Sequence, residues 1–294
     1  MDFSSIESEL AKNYRPITIS NYRGAIEKLL ESVYGDREHR IEALSSPEVF
    51  HFMTNIQDPT EQRMIFQIAI TVLKTFGLSA LPFEQYVRDN RVKFITQLPV
   101  SSDKEEANFM SWNDIVALRD SYEQRSDLRI PTVYRKYMTL CLYTMVPPLR
   151  SQDWYTASIR QDSPGNYIDL DKKLLVCRVY KTSDIYGERT IELTSRLIRI
   201  IRTWIEISGT TEWLFPGRCA QNHMLQGSFT NHLNNIFTPK KISSSMLRKI
   251  FISDKIAEWR SLPQEEEMRR RSQLAIIMGH SPSTQIFMYS KFKI

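Results

Sequence analysis

The chain has 294 residues, a formal net charge of +5, 41% hydrophobic and 25% charged residues, which allows two domains with a sizeable core and excludes disordered, fibrous and disulfide-stapled classes. No apolar run is long enough to span a bilayer, Tyr137 to Leu149 being the nearest, and Met1–Ser5 has neither the basic nor the apolar region of a secretory signal. Cys141, Cys177 and Cys219 are odd in number and widely spaced, so they make neither a disulfide framework nor a zinc pattern and read as reduced thiols of an intracellular protein.

In chain order, the first part reads as short helices. Thr18 or Ser20 caps a segment in which Tyr22, Ile26, Leu29, Leu30 and Val33 recur at helical spacing. Ser45-Ser46-Pro47-Glu48 supplies the cap and first-turn proline of a second helix, Pro59-Thr60-Glu61 opens a third, and Pro82 starts a fourth. Val92 to Asn108 is polar and contains Pro99, as expected of an interdomain linker or a long surface loop. Ser111 then caps a helix through Tyr122, and Thr132 to Val146 is an apolar helix halted by Pro147-Pro148. Asn166–Leu170 and Leu174–Tyr180 are β-rich and joined by Asp171-Lys172-Lys173, which predicts a hairpin; Arg189–Leu193 is a third strand after a turn. Thr194-Ser195 caps a helix to Ile207, and further helices are predicted at about 225–237, 243–258 and 265–278, with a short last one around Tyr289.

The charge is uneven. Residues 1–94 hold 11 Lys/Arg against 13 Asp/Glu, a net of −2, while residues 95–294 hold 28 against 21, a net of +7. A basic surface in the second part suits a polyanion such as DNA.

That basic part also carries the candidate chemistry. Arg150, Lys181, Arg248, His280 and Tyr289 together supply the residue types that phosphodiester transfer through a tyrosine needs. Attack on a phosphate adds charge to its non-bridging oxygens. Planar, permanently charged guanidinium groups suit that role, which falls to Arg150 and Arg248; preorganised donors of this kind are worth roughly 3–4 kcal/mol each. Lys181 is the candidate acid for the leaving 5′-oxygen. His280 either donates to a phosphate oxygen or helps take the nucleophile's proton. Tyr289 is the candidate nucleophile, and its phenol, with an ordinary pKa of about 10, needs cationic neighbours to ionise. Asp153, one helical turn after Arg150, either orients an arginine or serves as a first-turn helix charge. A phosphotyrosyl ester conserves the energy of the cut bond. The chain has no GxxxxGK[ST] and no HExxH, so no cofactor or metal is expected.

These boxes resemble those of the tyrosine recombinase (site-specific integrase) family from about residue 110 to 289. Leu149-Arg150-Ser151-Gln152-Asp153 is similar to the first arginine box, and Lys181 with Glu188–Leu193 to the lysine hairpin and return strand. Leu247-Arg248-Lys249 is similar to the second arginine box, and Met278-Gly279-His280 with Tyr289 to the last. Ser245 stands three residues before Arg248, where the family usually has His or Lys, and is carried as a phosphate ligand. The interval from Arg248 to His280 is longer than the family's; its Arg269-Arg270-Arg271 either contacts DNA or forms a salt-bridged helix face with the preceding glutamates.

The resemblance implies a mainly α fold with a small antiparallel β-sheet, in two domains that clamp duplex DNA: a helical core-binding domain at 1–98, a linker at 99–109 and a catalytic domain at 110–294. It implies a site-specific recombinase or integrase of phage, viral or transposon type. Such an enzyme acts through a 3′-phosphotyrosyl intermediate, as a homo-tetramer on paired double-stranded DNA sites, with no membrane and no small-molecule substrate, wherever the target DNA lies. The alternatives are a catalytically silent DNA-binding protein of the same fold, and an enzyme of type IB topoisomerase or telomere resolvase kind.

Overall fold

The structure is a computed structural model that describes residues 3–35, 41–91, 103–161, 163–219 and 221–280. It is mainly helical, with one three-stranded antiparallel sheet. The chain divides into two compact units, Met1–Leu98 and Pro99–Ile294. No described helix is long and apolar enough to cross a membrane.

The first unit holds α1 (Phe3–Leu10), α2 (Pro16–Tyr34), a 3-10 turn at Ile41–Ser45, α3 (Pro47–Thr54), α4 (Pro59–Thr75) and α5 (Leu81–Asp89). Helix α2 starts earlier than the hydroxyl caps suggest, because Pro16 takes its first turn, and it ends at Gly35 in the left-handed conformation, φ +85°. Ser46 caps α3 by accepting from the Val49 N–H at 3.2 Å, and Asp58 caps α4 by accepting from the Thr60 and Glu61 N–H groups. The buried Gln62 side chain donates to the Met53 and Thr54 carbonyls, closing the open end of α3 from the neighbouring helix. Ile26, Leu30, Leu44, Val49, Phe66 and Leu73 lie at the centre of this core.

The second unit opens with α6 (Asp103–Ala107), inside the stretch expected as a linker; Glu105 pairs with Lys249, and the Asn108 side chain accepts from the Lys241 N–H. It continues with α7 (Trp112–Glu123), α8 (Pro131–Thr144), the short α9 (Ser151–Tyr155), β1 (Tyr167–Asp169), β2 (Leu174–Cys177), the one-turn α10 (Ser183–Tyr186) and β3 (Arg189–Glu192). Helices α11 (Ser195–Ser208), α12 (Gln226–Ile236), α13 (Ser244–Trp259) and α14 (Gln264–Ile277) follow. Ser111 and Asp114 form a reciprocal capping box on α7. The sheet order is β1-β2-β3, with Leu175 opposite both Ile168 and Ile191, which puts one apolar face on the helical core.

Strand β2 ends at Cys177, three residues short of the predicted Tyr180. The reason is Asn166. Its side-chain oxygen accepts from the Arg178 and Val179 N–H groups, and its amide donates to Thr156 Oγ1 and the Val179 carbonyl, which turns the chain away from the ladder. Lys181 therefore sits in an exposed loop between β2 and α10 and not on a strand end.

Candidate functional site

The site is built on the C-terminal end of α14. A helix leaves its last carbonyls without intrahelical partners and carries a partial negative charge there. Here the Gly279 N–H bonds to the Ile276 carbonyl and the His280 N–H to the Ala275 carbonyl, both at 3.0 Å, with Gly279 left-handed at φ +65°. This is a Schellman closure, and it explains the Gly-His pair: glycine takes the conformation that a Cβ resists, and histidine lands where the chain folds back.

Three carbonyls remain, and three arginines take them. Arg189 Nη1 donates to the Ile277 carbonyl at 3.0 Å, Arg248 Nη2 to the Met278 carbonyl at 3.0 Å, and Arg150 Nη1 to the Gly279 carbonyl at 2.9 Å. Thr182 Oγ1, next to Lys181, also donates to the Gly279 carbonyl at 3.3 Å. A Cβ added at Gly279 would lie 2.5 Å from Arg189 Nη1 and 3.4 Å from Arg150 Nη1, so the close approach demands glycine as much as the backbone angle does.

Arg248 is 1% exposed and also donates from Nη1 to the Pro148 carbonyl at 2.9 Å, tying α13 to the segment before Arg150. Its Nη2 lies 2.8 Å from His280 Nδ1. A guanidinium can only donate, so Nδ1 accepts and the neutral ring carries its hydrogen on Nε2. Burial, reinforced by Arg248 and Arg150, pushes the His280 imidazole down to about 3. His280 is therefore a neutral ring with its hydrogen on Nε2 and a poor base.

Asp153 is fully buried. One oxygen, Oδ2, accepts from the Arg150 backbone N–H at 3.1 Å and from Arg189 Nη2 at 2.6 Å. The two roles considered for Asp153 thus coexist: it caps α9 and orients an arginine, but that arginine is Arg189. Sequence reasoning missed Arg189. The available signal was Asp153 itself, since a carboxylate beside Trp154 and Tyr155 is rarely buried without a counter-charge.

Arg150 is half-buried, and among the described residues its Nε and Nη2 carry no hydrogen bond. Lys181 is exposed and makes no hydrogen bond or ion pair among the described residues. Arg150, Arg248 and His280 are thus brought together, with Lys181 one residue from a group bonded to the same carbonyl. Ser245 is exposed in the first turn of α13, in a shallow pocket also lined by Lys104, Lys241 and Lys249. The neighbouring Ser244 is buried and shares a 2.7 Å hydroxyl contact with Ser151, beside Arg150. Tyr289 lies outside the described residues. Arg269, Arg270 and Arg271 pair with Glu266 and Glu267, forming the salt-bridged helix face.

No protein-family model matches the chain, and no curated protein matches it. Among solved structures, the crystal structure of XerA recombinase is similar over 99% of this chain and 95% of that chain, at 12% identity and a TM-score of 0.45.

Proposed function

We propose that the chain cleaves and rejoins duplex DNA by transesterification through Tyr289. The observation that carries the reading is Arg150. Its guanidinium is anchored at one nitrogen by the Gly279 carbonyl, 129 residues away, and keeps other donors open to an incoming anion beside the neutral His280. In the reaction, Tyr289 Oη bonds to phosphorus and the bond from phosphorus to the 5′-oxygen breaks. The phenol proton leaves to solvent, and Lys181 supplies a proton to the 5′-oxygen. The product is a 3′-phosphotyrosyl ester and a free 5′-hydroxyl. Arg150 and His280 Nε2–H hold the non-bridging oxygens as charge builds on them. Arg248, fully enclosed, orients His280 from behind.

Because the ester conserves the energy of the cut bond, rejoining to a partner strand needs no nucleotide, and exchange between two sites follows when four copies assemble on paired DNA. The protein works wherever its target DNA lies. Phosphate contacts make binding steeply salt-dependent, and the exposed Lys104 and Lys241 beside Ser245 offer further cations to the backbone.

The test is covalent trapping on a library of nicked duplexes with a randomised centre, quenched in detergent. An adduct is expected from the native chain and from Lys181→Ala at a reduced rate, and none from Tyr289→Phe. An adduct that survives Tyr289→Phe would remove the nucleophile assigned here. DNA binding with no adduct on any duplex would favour the catalytically silent reading.

A further inference from the structure

A buried carboxylate without a counter-charge is costly, and removing one partner of a buried pair leaves the other stranded. Asp153 and Arg189 form such a pair, their side chains 0% and 12% exposed. The pair joins elements that the sheet and helices bring from far apart. Arg189 lies on β3, Asp153 on α9, and the Ile277 carbonyl at the end of α14. The guanidinium also lies over the Tyr180 ring, 4.3 Å from its centroid, and Tyr180 immediately precedes Lys181. The Tyr180 hydroxyl donates to the Gly187 carbonyl at 2.7 Å, closing the loop that carries the lysine.

We propose that Arg189 is a positioning residue whose guanidinium holds the Lys181 loop, the Arg150 backbone and the Gly279-His280 turn in one arrangement, a role that rests on the DNA-cleavage reading above. The geometry uses every property that separates arginine from lysine. Two nitrogens of one planar fork reach two acceptors on different elements, and its face packs on an aromatic ring. Asp153 Oδ2 then passes the constraint to the Arg150 N–H, while the Ile277 carbonyl is adjacent in the chain to the two carbonyls that anchor Arg248 and Arg150. Arg189 touches no reacting atom in this scheme. It decides where Arg150, Lys181 and His280 stand, and misplacement of such groups by about an ångström costs roughly 10²-fold in rate.

The experiment compares the full native chain with Arg189→Ala, Arg189→Lys and, as a control, Arg202→Ala, whose exposed side chain pairs with Asp171. Single-turnover adduct formation on duplexes recovered from the trapping library is measured with and without methylguanidinium, alongside DNA affinity. Arg189→Ala is expected to lose about 10²-fold in adduct rate with DNA affinity nearly unchanged, and methylguanidinium is expected to restore a substantial part. Arg189→Lys, which keeps the charge but not the fork, is expected to stay impaired. It also serves if the alanine variant does not fold. Full activity in Arg189→Lys, or a loss in Arg189→Ala that follows DNA affinity or is not rescued, would overturn the proposal.

A second readout needs no reaction. Nitrogen NMR of the His280 imidazole, recorded without DNA, reports its tautomer and its bond to Arg248. If the native chain forms no adduct, the cleavage reading fails, and this spectrum alone decides whether Arg189 positions His280. A shift in Arg189→Ala that methylguanidinium reverses upholds it, and an unchanged spectrum overturns it.

Discussion

Gly279→Ala tests the geometry at the end of α14 more sharply than any change to a charged residue. An alanine at φ +65° accepts left-handed strain of about 1–2 kcal/mol. Its methyl carbon would also stand 2.5 Å from Arg189 Nη1. A free arginine tip would swing aside at little cost, but this one is held by Asp153, the Ile277 carbonyl and the Tyr180 ring. Giving up one charge-assisted bond adds about 1.5–3 kcal/mol, so the total cost is about 2.5–5 kcal/mol. Removing Arg189 first removes the collision. In an Arg189→Ala background, Gly279→Ala should therefore cost only its backbone strain. The two substitutions should be sub-additive by about 1.5–3 kcal/mol. Urea unfolding followed by tryptophan fluorescence measures this in the right place, because all five tryptophans, at 112, 154, 204, 213 and 259, belong to the second unit. Additivity within about 0.5 kcal/mol would show that the guanidinium is not held and that Arg189 clamps nothing.

Three further outcomes follow from the same structure. Burial pushes His280 and His232 down to about 3, below an unfolded value of about 6.5. The unfolded chain then takes up protons first, so the stability these groups contribute is complete above the unfolded value and lost as pH falls through this window. The melting temperature of the native chain should drop across it, and His232→Gln should flatten the profile. Asn166→Ala strips partners from the Arg178 and Val179 N–H groups. It is expected to destabilise the second unit by about 2–6 kcal/mol, at about 1–3 kcal/mol for each stranded group, and to speed amide exchange before Lys181. Burial pushes the Cys141 and Cys177 thiols up to about 12, while Cys219 is exposed. A thiol reagent should therefore modify one cysteine quickly in the folded chain, at position 219 by mass mapping.

Much of the helical framework was legible because its signals are local. Ser46 before Pro47, Asp58 before Pro59, Ser111 with Asp114 and Thr194 before Ser195 each specify a start within a few residues. The strand boundary after Cys177 was not legible, since it depends on a side chain 11 positions upstream. Asn166 competes with the ladder for the same N–H groups, and no window on β2 alone contains that fact. In the candidate site, residue types were readable and roles less so. The tautomer of His280 became readable only when the Arg248 contact gave Nδ1 an obligatory donor. Arg189 looked like one more charge on a short strand; only the register opposite Cys177 and the fold of α9 bring it to Asp153. Ser245 and Ser244 are adjacent and chemically identical, and the helix phase alone decides that one is exposed and the other meets Ser151.

The three arginines dock on Pro148, Ile277, Met278 and Gly279 through main-chain oxygens. A carbonyl is the same chemical group whatever side chain its residue carries. At Ile277, which is exposed, the letter can therefore drift widely while the docking point stays where the backbone puts it; Met278 is fully buried, so the core limits its side chain as well. Gly279 is the exception, since its letter sets both the path of the chain and the room around it. A saturation scan of this turn would accordingly separate Ile277, which lends only its backbone, from Met278, limited by core packing, and Gly279, where almost any substitution is felt.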